Sequence, residues 1–245
     1  MTWPVTLTWG DIRLRPLRRS DSHQWHAIRR TNAGWLKQWE ATLPSADPAV
    51  PGTFAGMVRS FRREARAGRA LAFALDVDGR LAGQVTLGGI AWGSLRSAYI
   101  GYWIAQQAAG RGSMPRAVAL VTDHAFAAMG LHRIEINIRP ENQASLRVVE
   151  KLGYRREGYR ERYLHIDGAW RDHVSFAMLS DEWPTGGLVA DIQRNGWRDQ
   201  RSATRMDGEA FRMNRHNRDT PEESERGRTV RDTGGSLPRF APRHP

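Results

Sequence analysis

The sequence predicts an α/β fold, with one central mixed, mainly antiparallel sheet flanked by helices. Three observations carry this. Apolar segments of strand character interleave with segments of helical period over residues 1–190. Two Asp-Gly pairs, Asp78-Gly79 and Asp167-Gly168, each separate two apolar runs and so mark antiparallel hairpins. Three strands follow one another before the next helix, unlike the regular strand–helix alternation of a dinucleotide-binding fold.

Each element has a local reason. Ile12 and Leu14 alternate with Arg13 and Arg15 in an opening strand. Ser20 has the character of an N-cap for a helix through Arg29. Trp35, Leu36 and Trp39 form an aromatic loop or short helix, and residues 54–67 a basic helix carrying Arg59, Arg62, Arg63 and Arg66. Residues 71–77 and 81–87 pair across the first Asp-Gly turn, and 98–104 is a further strand. A glycine-rich loop at Gly110 and Gly112 opens a helix over 113–129, and 133–138 is the next strand. A helix over 142–152 is stopped by Gly153. Residues 155–166 and 170–178 form the second hairpin.

Composition bounds what such a chain can do. Its 245 residues hold no cysteine, which removes disulfides, thiolate metal sites and a cysteine nucleophile. No apolar run approaches the roughly 20 residues of a membrane span, so a cytoplasmic protein with no membrane partner is expected. The formal charge is +11, and Lys37 and Lys151 are the only lysines among 37 basic residues. Arginine grips phosphate bidentately, yet a GC-rich coding bias gives the same excess. Composition breaks near Asp191, beyond which large apolar residues are isolated. We therefore expect one domain over 1–190 and a basic, Arg-rich, disordered tail over 191–245, with a short helix around Asp207 to Met213. The tail could reach a ribosome surface electrostatically, or be an inert solvated segment.

The central chemical signal runs from Ile104 through Gly110-Arg111-Gly112-Ser113, between a strand and a helix. Two glycines let backbone N–H groups approach a ligand, and the following helix points its positive end at the loop. This suits a diphosphate, with Arg111 and Arg116 as candidate charge partners. It is not a Walker loop, since no Gly-Lys-Ser/Thr follows.

With its neighbours the loop resembles the Gcn5-related (GNAT) acetyltransferases. The resemblance rests on Gly101-Tyr102-Trp103-Ile104, Gln107-x-x-Gly110-Arg111-Gly112, the strand 133–138, Asn142-Gln143-Ala144-Ser145 and Glu150-Lys151-Leu152-Gly153-Tyr154. It covers residues 11–183. Trp35-Leu36-Lys37-Gln38-Trp39-Glu40 and the run from Tyr163 to Val174 narrow it to the RimJ/RimL branch, closest to RimJ.

This resemblance implies direct transfer of an acetyl group from acetyl-CoA to an amine, foremost the N-terminal α-amine of a ribosomal protein, without a metal. Cofactor contacts fall on Trp103, Ile104, Ala108, Ala109, Gly110, Arg111, Gly112, Ser113 and Asn142. Asn142 is equally placed to N-cap its helix. Trp35, Trp39, Tyr102 and Asn137 are expected at the acceptor. Ser145 is expected to protonate the departing thiolate. The bases known from relatives fall here on Asn137, Val149 and Leu164, none of which can act as one. Glu40 is the leading replacement, with Glu135, His165, His173 or bulk water as alternatives. The same chemistry on a small-molecule amine, and a non-catalytic RNA- or ribosome-binding module, are the competing functions. The assembly expected is a monomer or homodimer.

Overall fold

The computed structural model describes residues 3–45 and 52–197. Eight strands form one sheet: β1 (Leu7–Trp9), β2 (Ile12–Pro16), β3 (Leu71–Val77), β4 (Arg80–Ala91), β5 (Ser97–Ile104), β6 (Arg133–Ile138), β7 (Arg155–Ile166) and β8 (Ala169–Leu179). Their spatial order is β1-β2-β3-β4-β5-β6-β8-β7. Neighbours are antiparallel except β5 and β6. Among the described residues there are six α-helices: α1 (Ser22–Thr31), α2 (Ala33–Lys37), α3 (Phe54–Arg66), α4 (Ser113–Asp123), α5 (Gln143–Leu152) and α6 (Leu188–Asn195).

Each face of the sheet has its own apolar cluster. The larger unites Ile12, Leu14, Phe73, Leu75, Leu87, Ile100, Ile134 and Ile136 with residues of α4, α5 and α6. Helix α4 is buried on most sides and packs on β1, β2 and β4 as well as on α5 and α6. The smaller cluster sets Trp25 of α1 and Val58 of α3 against Leu17, Ala74 and Leu81. Thr53 caps α3 by accepting from Gly56 N–H at 3.1 Å.

The structure departs from the sequence reading at several places. The entry to α1 is held by Asp21 rather than Ser20: its carboxylate accepts from Arg18 N–H at 2.7 Å and from Arg15. Helix α4 ends at Asp123 and widens into a π-turn over His124–Ala128. The short edge strand β1 precedes the expected first strand.

Helix α6 crosses the boundary expected at residue 190, with Leu188 and Ile192 buried in the larger core. The rest of the expected tail, from residue 198 on and including its short helix, lies outside the described residues. The cap of α6 comes from far along the chain. Asp123 accepts from Leu188 N–H at 2.8 Å, Val189 N–H at 3.0 Å and the Trp183 indole at 2.7 Å. Replacing Asp123 by alanine leaves these donors unpaired. A urea-unfolding midpoint should fall by an amount corresponding to about 1–3 kcal/mol; an unchanged midpoint would contradict this role.

Candidate active site

The site begins where the sheet comes apart. β5 and β6 pair only at Ser97↔Arg133, Ala98↔Ile134 and Tyr99↔Glu135. Beyond these residues β5 stays with β4, while β6 stays with β8 as far as Ile138↔Val174. The close β4–β5 contact depends on Gly83, where a Cβ would lie 2.3 Å from the Trp103 carbonyl oxygen. A cleft of about 530 Å³ opens at this divergence.

Strand alternation sorts its walls. Gln84, Thr86, Trp103, Asn137, Ser175 and His173 share one face of the sheet by register, and Tyr102 lies on the other with Ile136 and Ile138. Residues 39–41, Arg139, Asn142, Ser145, Tyr163 and Leu164 close the cleft around them.

Beyond β5 the chain enters a 3-10 turn, Gln106–Ala108. Ala108 N–H donates to Ala105 O at 3.0 Å and Ala109 N–H to Gln106 O at 3.1 Å, so both amides are used within the turn. Gly110 and Gly112 then take φ values of 79° and 76°, the left-handed region that favours glycine. Gly112 leads directly into α4, whose first residue, Ser113, is buried with a hydroxyl that has no hydrogen-bond partner. Pro115 lacks an N–H, so no backbone donor is left idle at that position of the first turn. An enclosed, unpartnered hydroxyl beside N-terminal amides and a glycine loop fits an oxyanion ligand such as a diphosphate. Arg111 is exposed here. Arg116 is ion-paired with Asp11 and also donates to Gly112 O at 3.3 Å, which ties it to the protein.

Asn142 and Ser145 meet at the start of α5. The Asn142 carbonyl oxygen accepts from Ser145 N–H at 3.1 Å, so Asn142 is the N-cap. The cap uses the Ser145 amide, leaving its hydroxyl to the cleft that it lines. Tyr102 stands beside it. Its hydroxyl is enclosed and makes no hydrogen bond of good geometry. Burial pushes this phenol well above its usual pKa, with the Ser145 hydroxyl pulling weakly the other way. Tyr102 is therefore held protonated at neutral pH.

The aromatic segment divides. Trp39 lines the cleft under the Arg139 guanidinium, 5.3 Å from its ring centroid. Trp35, expected at the acceptor, does not line it; its indole N–H donates to Ile104 O at 3.1 Å and clamps α2 to the end of β5. Asn32, buried between α1 and α2, accepts from Gln106 N–H at 2.8 Å and fixes the same junction. Trp103 packs edge-on against Trp25 at 5.1 Å, with Arg29 over its ring at 5.3 Å.

Among the expected bases, Glu40 lines the cleft but is ion-paired with Arg29. Glu135 bonds Arg133 at 2.8 Å and Arg160 at 3.0 Å. His165 is turned to Thr42, with Nδ1 2.8 Å from the threonine hydroxyl. Asn137 lines the cleft and accepts from the Ser175 hydroxyl at 2.7 Å, which fixes its carbonyl oxygen and leaves its amide NH₂ free of that bond.

His173 is 3 % exposed and lines the cleft, with Nδ1 3.0 Å from Arg171 O. Burial lowers its pKa, against the opposing hydrogen bond to Arg171 and with help from the Arg139 charge. Arg29, Leu36, Gln84, Thr86, Arg139 and Tyr163 are cleft residues that sequence reasoning did not place. Gln84 is notable for an enclosed, unpartnered Oε1.

Comparison with known proteins agrees with this geometry. Residues 11–155 match the acetyltransferase (GNAT) domain family. The structure of Mycobacterium smegmatis RimJ in complex with CoA-disulfide superposes with a TM-score of 0.73 at 37% identity, covering 79% of this chain and 96% of that one. The Escherichia coli K12 [ribosomal protein uS5]-alanine N-acetyltransferase is 31% identical over 186 residues, 74% of this chain and 94% of its own. Bacillus subtilis YjcK, a probable N-acetyltransferase, is 43% identical over 105 residues, 43% of this chain; the match spans only 58% of YjcK's length. With a sheet that opens between β5 and β6, a glycine loop leading into α4, and these relatives, the chain belongs to the GNAT acetyltransferase family.

Proposed function

We propose that the protein transfers an acetyl group from acetyl-CoA to the N-terminal α-amine of a ribosomal protein. The observation that carries this is the β5–β6 divergence, which opens a cleft with Ser145 and Tyr102 in one wall and Asn137 and His173 in another. Acetyl-CoA would supply the activated acetyl thioester. Amides from Gly110 to Ser113, the Ser113 hydroxyl and the exposed Arg111 would hold its pyrophosphate. Ala108 and Ala109 would shape the loop, since their amides already donate within the turn. Backbone of Trp103 and Ile104 and the free amide NH₂ of Asn142 would face the pantetheine arm, with Trp35 already occupying the Ile104 carbonyl.

The Ser145 hydroxyl would give its proton to the thiolate once the tetrahedral intermediate collapses. Tyr102, kept protonated by burial, stands next to it as the neighbouring donor. Trp39, Asn137 and the Glu40–Arg29 pair would shape the acceptor side. Glu40 serves there better as the partner that holds Arg29 over Trp103 than as a base. An α-amine suits such a site, because with a pKa of about 7.7–8.0 it is partly neutral at pH 7, whereas a lysine amine near 10.4 is not. The ribosomal substrate is inferred from likeness to the Escherichia coli relative, whose name gives it and which the match spans over 94% of its length.

The test is mass-spectrometric detection of N-terminal acetylation on a panel of ribosomal N-terminal peptides with acetyl-CoA. Acetylation of a peptide α-amine is expected. Acetylation of a polyamine or another small amine, with every peptide untouched, would overturn the peptide reading. Salt-dependent RNA binding without CoA binding would overturn the enzymatic one.

A further inference from the structure

We infer that His173 is the general base that takes the proton from the acceptor amine, through its Nε2 atom. The inference rests on the reading of the cleft as an acetyl-transfer site.

The geometry fixes the ring. The Arg171 carbonyl can only accept a hydrogen bond, so the Nδ1 atom 3.0 Å from it carries the hydrogen. In the neutral ring Nε2 is then a bare lone pair, and the ring's one hydrogen bond among the described residues is the one at Nδ1. The ring is braced edge-on by Tyr163, 5.4 Å away between centroids. His173 shares the sheet face of Asn137 and Ser175, across the β5–β6 divergence from Tyr102 and the expected thiolate donor Ser145. Base and acid thus flank the gap from opposite faces, as a transfer through that gap requires.

The charges around the ring also suit the role. Arg160 stands opposite it in the β7–β8 ladder but turns its guanidinium to Glu135 at 3.0 Å. Arg139 and Glu141, from the segment after β6, and Asp172, on its own strand, bear on it with opposing signs. Burial dominates and keeps the imidazole neutral at pH 7. Of the other proton acceptors in the lining, Glu40 is held by Arg29, and Tyr102 is a protonated phenol.

The step balances simply. The amine nitrogen bonds the acetyl carbonyl carbon and its proton passes to Nε2. The carbon–sulfur bond then breaks, with its electron pair leaving on the CoA sulfur, which takes a proton from Ser145. The imidazolium gives its proton to solvent and Ser145 takes one back from solvent, which restores both groups.

The test pairs kinetics with NMR. With an Ala-initiated N-terminal peptide and acetyl-CoA, His173→Gln should lose about 10²-fold in kcat/KM at pH 7. On the acid side, kcat/KM of the unmodified protein should fall with an added limb as the imidazole takes up a proton, a limb that the variant should lack. An acid limb identical in the variant and the unmodified protein would mark a structural role and overturn the inference. Nitrogen-15 NMR of the imidazole in the unmodified protein is independent of any acceptor. The Nδ1–H tautomer, neutral at pH 7, is expected; an Nε2–H tautomer or a charged ring at pH 7 would overturn it. Failure of the unmodified protein to acetylate any peptide would count against the proposed function and leave the NMR result to decide the state of His173.

Discussion

Replacing Asp76 by alanine should cost about 3–5 kcal/mol of folding stability, a large part of the roughly 5–15 kcal/mol available to a typical domain. Asp76 is 1 % exposed and binds two arginines across the β2–β3 pair. It accepts from Arg15 Nε at 2.8 Å and Nη2 at 3.0 Å, and from Arg13 Nη2 at 2.8 Å. Arg15 is itself buried and completes its donors on Asp21 at 2.8 and 3.0 Å. Alanine at 76 leaves the buried Arg15 with Asp21 as its remaining carboxylate, its Nε without a partner, and Arg13 without its own, which costs far more than the cluster contributes net. The effect should extend to the site, because Asp21 fixes the entry to α1, which brings Trp25 and Arg29 onto Trp103. Chemical denaturation measures the loss; a change below about 1 kcal/mol would show that Arg15 finds water or another partner.

The second large effect is expected at Ser145. Ser145→Ala should lower kcat by about 10²-fold, the usual scale for losing a positioned proton donor. The N-cap of α5 uses the Ser145 amide rather than its hydroxyl, so the helix should survive the change. Affinity for CoA, measured by calorimetry, should therefore stay near that of the unmodified protein. Tyr102→Phe alone should have a smaller effect. Combined with Ser145→Ala it should add little, since two hydroxyls serving one proton are not independent. A fall in CoA affinity that accounts for the whole loss would remove Ser145 from the proton path.

How much of this was legible in the chain can be judged element by element. The strand Arg133–Ile138 was read to the residue, because alternation and flanking signals are local. α5 differs from its expected bounds by one residue at the start, where Asn142 caps the helix, and Gly153 is its stop. β4 runs on to Ala91, past the expected end at 87, through Gly88 and Gly89, which pack under the Tyr99 ring. A Cβ at either glycine would lie 2.7 Å from that ring, a contact between strands that composition does not announce. Helix α6 was missed because its cap, Asp123, lies 65 residues before Leu188.

The site divides the same way. The glycine loop and the Asn142–Ser145 pair are contiguous motifs and were visible as such. The neighbours of His173 were not. Two irregularities in the β7–β8 register, after Arg156 and after Arg160, decide what stands opposite it. Counting back evenly from the Asp167-Gly168 turn would have put residue 162 there, whereas Arg160 is found. Trp35 illustrates the converse: an indole suited to an acceptor wall is spent on the Ile104 carbonyl.

The early end of the β5–β6 ladder also bears on how the molecule unfolds. The sheet has its two outer edges, β1 and β7, and in addition a pair of inner edges facing each other beyond Tyr99 and Glu135. Backbone groups along such edges are hydrated until something pairs with them. An extended ligand carrying amides would act there as a short interior strand and make the two halves of the sheet continuous. Binding and folding cooperativity are then linked: at a ligand concentration one hundred times Kd, the native state gains about 2.7 kcal/mol. Within the sheet three residue pairs join the halves, beside the core they share under α4 and α5, so occupancy adds to how far they melt as one unit.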